Sequence, residues 1–241
     1  VAQAQRGSGP AGEADADGVI ELLGLLAYAE LDAFFRLSGD AALAPSLADK
    51  AALGGMAVAE FSHFERIRAE LERLGADPDA AMQPFTAPVE AFHVRTAPSD
   101  WLESLVKAYV GDGFAADFYR ALAEVLDPGL RALVLEVLAD TGHAQFAVQH
   151  VRAAIEADPK VAGRLALWGR RLVGEALGQA QRVAAQRPPL ARLLVREIST
   201  GDAGASDATT EPASQLGDIG RMFARLTDAH AQRMSALGLS A

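Results

Sequence analysis

Three observations predict an all-α fold. Apolar residues recur at helical spacing along almost the whole chain, period-2 alternation rich in Val, Ile and Thr is absent, and Pro, Gly and Asp interrupt the pattern where helices would end. With 241 residues, 50% of them apolar, the chain can bury a substantial core as one large domain or as a domain with an appendage.

Residues 1–17 read as a disordered tail without the charged-then-apolar layout of a signal peptide. A first helix is expected from about Gly18 to Leu37, with Leu23, Leu26, Ala27, Phe34 and Leu37 on one face. A second opens near Pro45 and Ser46, turns Leu53, Met56, Ile67, Leu71 and Leu74 inward, and stops at Gly75. Residues 75–99 hold Pro78, Pro84, Pro88 and Pro98, too many breakers for a long helix, and read as a crossover running down a bundle. A third helix follows Ser99 or Asp100 to about Leu126, with Trp101, Leu102, Leu105, Tyr109, Ala116 and Tyr119 on one stripe. Asp127-Pro128 restarts a fourth, an N-cap acid followed by Pro at the first helical position, which is expected to continue to about Ala157. Asp158-Pro159 breaks the chain again. A fifth helix covers about 160–186, residues 199–214 read as a flexible linker, and a last helix spans about 215–237. The expected organisation is therefore a tail (1–17), a four-helix bundle with one long crossover (18–157) and additional C-terminal helices (158–241).

Composition removes several functional classes. Without cysteine there is no disulfide, thiolate metal site, iron–sulfur cluster or Cys nucleophile, so a metal must be held by oxygen and imidazole nitrogen. Charges interrupt every apolar run before about 18 residues, which leaves no membrane span and makes the cytoplasm the simplest location. The net charge of −10 opposes indiscriminate nucleic-acid binding. From Lys160 to Arg196, however, Lys160, Arg164, Arg170, Arg171, Arg182, Arg187, Arg192 and Arg196 face the single acid Glu175. Such a run docks on acidic surface of its own protein, stays solvated, or forms a phosphate-backbone footprint.

Chemistry concentrates on the bundle helices. In AVAEFSHFERI, Glu60 precedes His63 by three residues, so both side chains reach one point on a helix face. LADTGHAQF repeats the spacing with Asp140 and His143. The first helix offers Glu30, seven residues after Leu23 and seven before Leu37; the third offers Asp112, seven after Leu105 and seven before Tyr119. The matched separations, Glu30 to Glu60 and Asp112 to Asp140, put each lone carboxylate opposite an acid-x-x-His at similar depth. Four carboxylates are too costly to bury for packing alone, and two divalent cations would compensate them. This donor set suits two iron or two manganese ions. Asp117 competes with Asp112 on the third helix, although its stripe runs through Arg120 and Glu124. Glu90 and His93 form a third acid-x-x-His, but between Pro88 and Pro98 in the crossover. His150 and His230 have no comparable setting, Glu136 is a candidate to orient an imidazole, and the glycines flanking Asp112 would make room beside the metals.

These segments, YAE with Glu30, EFSH with Glu60 and His63, YVGDGFAADFY with Asp112 and LADTGHAQF with Asp140 and His143, resemble the ferritin-like di-iron proteins over roughly residues 18–186. Within them the chain looks similar to the branch of tRNA 2-methylthio-N6-isopentenyladenosine hydroxylase. The resemblance implies a non-haem di-iron centre, dioxygen as co-substrate, an external electron-donor protein and hydroxylation of a C–H bond, in that branch on the prenyl group of a modified tRNA adenosine. The 160–196 segment would then be the tRNA-binding surface. Asp at 112 and 140 departs from the Glu usual in this class. Two other classes fit the same residues: a ferritin-like iron-binding protein with ferroxidase activity, and a bundle that keeps the ligands but serves as an interaction module.

Overall fold

A computed structural model describes residues 10–139, 142–193 and 212–241. The chain forms α1 (Pro10–Asp40), a 3-10 turn (Ala41–Leu43), α2 (Leu47–Arg73), α3 (Pro78–Arg95), α4 (Trp101–Ala123), α5 (Pro128–Val137), α6 (His143–Ala157), α7 (Val161–Gln186) and α8 (Pro212–Ala236). The described residues contain no strand. None of their helices is long and apolar enough to cross a membrane.

Local chemistry sets the helix starts. Ser46 Oγ accepts from the Asp49 amide at 3.1 Å, Asp77 from those of Asp79 and Ala80, and Asp127 from those of Gly129 and Leu130. At α4 the cap is reciprocal: Asp100 accepts from the Glu103 amide at 2.9 Å, and the Glu103 carboxylate accepts from the Ser99 amide and hydroxyl. Each such cap contributes about 1 kcal/mol. Packing then selects the buried faces. Leu22, Leu23, Leu26 and Ala27 of α1 and Ile67 and Leu71 of α2 are fully buried where these helices lie along one another. Leu105, Val106, Val110 and Leu122 fill the inner face of α4, which packs on α5, α6, α7 and α8.

Four expectations are corrected. α1 begins at Pro10, so residues 10–17 are helix rather than tail; residues 1–9 lie outside the described residues. Leu74 is the C-cap of α2 and is 38% exposed, because the helix turns off at Gly75 (φ +80) before Leu74 can face inward. The crossover is itself a helix, α3, containing Pro84 and Pro88. Asp77 caps it, Pro78 occupies its first turn, and Met82 and Phe85 are buried as α3 packs against α1 and α7. Burying a Phe is worth roughly 1.5–3 kcal/mol, which offsets much of the proline penalty. The fourth helix is two: α5 ends at Val137, and α6 starts after Gly142, whose φ of +96° a non-glycine residue adopts only under strain. Of the expected linker 199–214, residues 199–211 lie outside the described residues, and 212–214 open α8.

Gly24 fixes how closely α1 and α3 approach, since a Cβ there would fall on the Ala81 carbonyl. Gly24→Ala is expected to destabilise the protein by about 1–3 kcal/mol despite alanine's better helix propensity. Urea unfolding checks this, and a stabilised variant would mean that α3 does not sit against α1 in solution.

Candidate metal centre

α1 supplies Glu30 and one turn of α2 supplies Glu60 and His63. Ligand-type atoms of these three residues all lie within 4.8 Å of one another. His63 Nδ1 is 3.4 Å from Glu30 Oε2 and 3.6 Å from Glu60 Oε2. His143, the first residue of α6, brings its Nδ1 to 3.3 Å from Glu60 Oε1. Glu30 is buried at 8% exposure, and both Glu30 Oε2 and His63 Nδ1 are buried without a hydrogen-bond partner. Buried polar atoms are rarely left so, and here two of opposite character point at the same space.

The electrostatics follow from that crowding. Burial pushes the Glu30 carboxyl well above the usual range. The adjacent Glu30 and Glu60 carboxylates raise His63 to about 9. Burial also acts upward on Glu60, but His63, Glu30 and His143 beside it bring it below the usual range. Asp112 is held well above the usual range by burial, with the Glu60 charge adding and Lys107 opposing.

Asp112 faces the site from α4. It lines a cavity of about 330 Å³ together with Glu30, Glu60, His63 and His143. It also lines a second, more apolar cavity of about 240 Å³ walled by α1, α3, α4 and α7. Ala29, Ala33, Ala115 and Tyr119 are common to both. Arg233 of α8 reaches into the first cavity, where its guanidinium pairs with Asp117 and donates to the Gly113 carbonyl at 2.7 Å. A side chain on Gly113 would collide with Arg233, so this glycine makes room for an arginine rather than for a metal or substrate.

The structure thus gathers Glu30, Glu60, His63 and His143 and turns Asp112 toward them, while Asp140 lies outside the described residues. His143 stands at a helix start after a break, so the second acid-x-x-His does not ride on one continuous helix. Asp117 is taken by Arg120 and Arg233. His93 pairs with Asp32 at 2.7 Å and lines the second cavity. His150 bonds Asp49, and His230 is buried on α8. Glu136 pairs with Arg66 at 2.5 Å on an exposed surface, which takes it away from the imidazoles. Sequence reasoning missed Lys107 and Arg233. The first carried a signal, a lone cation inside the apolar run LVKAYV; the second depends on how α8 packs, which no local pattern shows.

The residues present fit a metal: oxygen and imidazole donors converge, and two of their atoms are buried without other partners. A family model described as a ferritin-like domain of actinomycetes matches residues 14–197. Among solved structures, protein 19 with aldehyde deformylating oxidase activity from Synechococcus aligns with a TM-score of 0.60 and 18% identity. The alignment covers 90% of this chain and 91% of that one, which shows a common fold. No curated protein matches the chain.

In metal-free protein the raised carboxyls of Glu30 and Asp112 contribute stability below the ordinary carboxylate range, lost as pH rises through their elevated pKa values. At pH 8, Glu30→Gln should therefore leave the metal-free protein as stable as before or more so, while abolishing the rise in Tm on adding Fe(II) or Mn(II). Thermal melts with and without chelator test it. A loss above about 2 kcal/mol in metal-free protein would make Glu30 a structural ion-pair residue instead.

Proposed function

This chain belongs to the ferritin-like domain family of actinomycetes, and we propose that it is an oxygen-dependent di-iron oxidase acting on a C–H bond of a small apolar substrate. The observation that carries this is the buried carboxylate–imidazole cluster of Glu30, Glu60 and His63, with atoms lacking hydrogen-bond partners, beside an apolar cavity. The aldehyde deformylating oxidase activity of the Synechococcus protein of the same fold is compatible with it.

In this reading Glu30, Glu60, His63, Asp112, Asp140 and His143 hold two iron ions, manganese being the alternative that the donor set allows. The iron pair supplies the activation of dioxygen with electrons from an external donor protein. The chain's own part is positional. Glu30 and Glu60 present oxygens from two packed helices, and the His63 ring is held between them. Tyr119 is buried, and burial, then the Glu30 charge, push its hydroxyl above the usual range. The alanines shared by the two cavities, Ala29, Ala33 and Ala115, put small apolar side chains between them. A cytoplasmic protein is the natural setting.

A prenylated tRNA adenosine is the finer alternative that the motifs suggest. Its basic footprint is largely engaged within the protein. Arg164 pairs with Asp100 and Glu103, Arg171 donates to the Arg95 carbonyl, and Arg187 pairs with Glu21. A ferroxidase without organic substrate leaves the second cavity without a purpose. We therefore favour the small apolar substrate.

After anaerobic loading about two irons per chain are expected, since six convergent ligands are what such a bundle site supplies. His63→Ala and His143→Ala should each lose iron while His93→Ala keeps it, as measured by metal analysis. Iron near zero in folded, unmutated protein overturns the reading. Equal loss in all three variants would move the site toward α3.

A further inference from the structure

We propose that a second copy of the chain docks on the outer face of α2, the two α2 helices crossing antiparallel at Gly54 and Gly55. Phe35, Leu47, Val58 and Phe61 are between 37% and 86% exposed. Ring contacts join α1 to α2 here, the Phe34 centroid lying 5.0 Å from that of Phe35 and 5.2 Å from that of Phe61, and Val58 stands one turn before Phe61. Along α2, Leu47, Ala51, Gly54, Val58 and Phe61 follow at intervals of four, three, four and three residues, the spacing of a seam along which helices pack. The buried side of α2 is a different set, Leu53, Ala57, Phe64, Ile67 and Leu71, so the helix carries a second apolar face beyond the one its own core uses.

Gly54 and Gly55 have no explanation within the described chain. They sit in the interior of a 27-residue helix, where glycine is less favourable than alanine, yet a side chain on either would meet no atom within 4 Å. Gly24, Gly113 and Gly169 differ, because Ala81, Arg233 and Met234 occupy the space a side chain would need. Two adjacent glycines on an uncovered face let a backbone from outside approach closely. An antiparallel crossing there sets Ala51 against Val58 of the partner subunit, small against large. Charge selects the occupant: from Ala51 to Ser62 the only charged residue is Glu60, which lines the carboxylate cavity. The chain carries a net charge of −10, and a two-fold contact sets a patch against itself, so an uncharged face is the one a second copy meets without opposing like charges. The same net charge disfavours an anionic lipid surface. The four exposed side chains leave roughly 500 Å² uncovered, and two such faces bury about 1,000 Å², the lower bound for a specific interface.

Sedimentation velocity of the full chain from about 1 to 200 µM is expected to show a monomer passing to a dimer, and added salt should strengthen the dimer by screening the net charge. Val58→Lys changes an exposed position, so it should keep the circular dichroism while weakening the dimer at least about tenfold, since it buries an unpaired charge. Gly55→Ala should raise the Tm of the dilute monomer yet weaken the dimer. Because the chain has no cysteine, Gly55→Cys should form an oxidised cross-linked dimer, whereas Glu72→Cys, about 25 Å further along α2, should not. A chain that stays monomeric throughout, a dimer that folded Val58→Lys leaves unaltered, or cross-linking through position 72 but not 55 overturns the proposal. Binding of the monomer to phosphatidylcholine vesicles without dimerisation would assign the face to lipid and overturn it equally. None of these outcomes depends on iron, so this assignment and the oxidase reading fail separately.

Discussion

Carboxylates enclosed in a helical bundle must be compensated, and that constraint organises the centre of this protein. Glu30, Glu60 and Asp112 come from three helices, and only part of their charge is met by His63 and His143. Desolvation penalises each ionised oxygen by several kcal/mol, so packing alone gives no reason to bring them together. The imbalance shows as opposite displacements: Glu30 and Asp112 are driven toward the neutral form, while Glu60 and His63 are driven toward the charged one. A divalent cation reverses the logic by favouring deprotonation of every carboxyl. The close α1–α2 packing is the frame that keeps these groups from drifting apart.

Much of this was legible in the sequence, for definite reasons. Helical period, caps and breakers specified most helices, because Ser46, Asp100 and Asp127 act on amides within three residues of themselves. Glu30, Glu60 and His63 could be read because they fall on the inward stripe of uninterrupted helices. Where the reading failed, tertiary contacts had outweighed local rules. Pro84 and Pro88 argued against a helix that the burial of Met82 and Phe85 sustains. The break before His143 turns on a left-handed glycine inside an otherwise periodic stretch. Asp112 and Asp117 could be weighed only by stripe, and the distinction rests on Arg233, more than 100 residues away in sequence.

The arginine-rich segment shows how charge on paper differs from charge on a surface. Arg164 completes the start of α4 by pairing with its cap residue Asp100 and with Glu103, whose carbonyl also receives the Trp168 indole N–H at 2.9 Å. Arg187 ties the end of α7 to Glu21 of α1. These contacts hold α7 against the bundle and make it one wall of the apolar cavity. A segment that reads as a polyanion footprint thus also serves as internal bracing.

Arg233 lines the carboxylate cavity from α8, the last of the described helices. During synthesis every described donor, from Glu30 to His143, has been added 90 residues before Arg233 is. At 5–20 residues per second that interval is roughly 5–20 s. The growing chain can therefore assemble its acidic interior while one side stands open to the ions and protons of the cell. Loading at that stage precedes the Arg233–Asp117 pair; loading afterwards takes place beside it. The order in which the ribosome delivers the helices thus sets which groups line the cavity when ions first reach it.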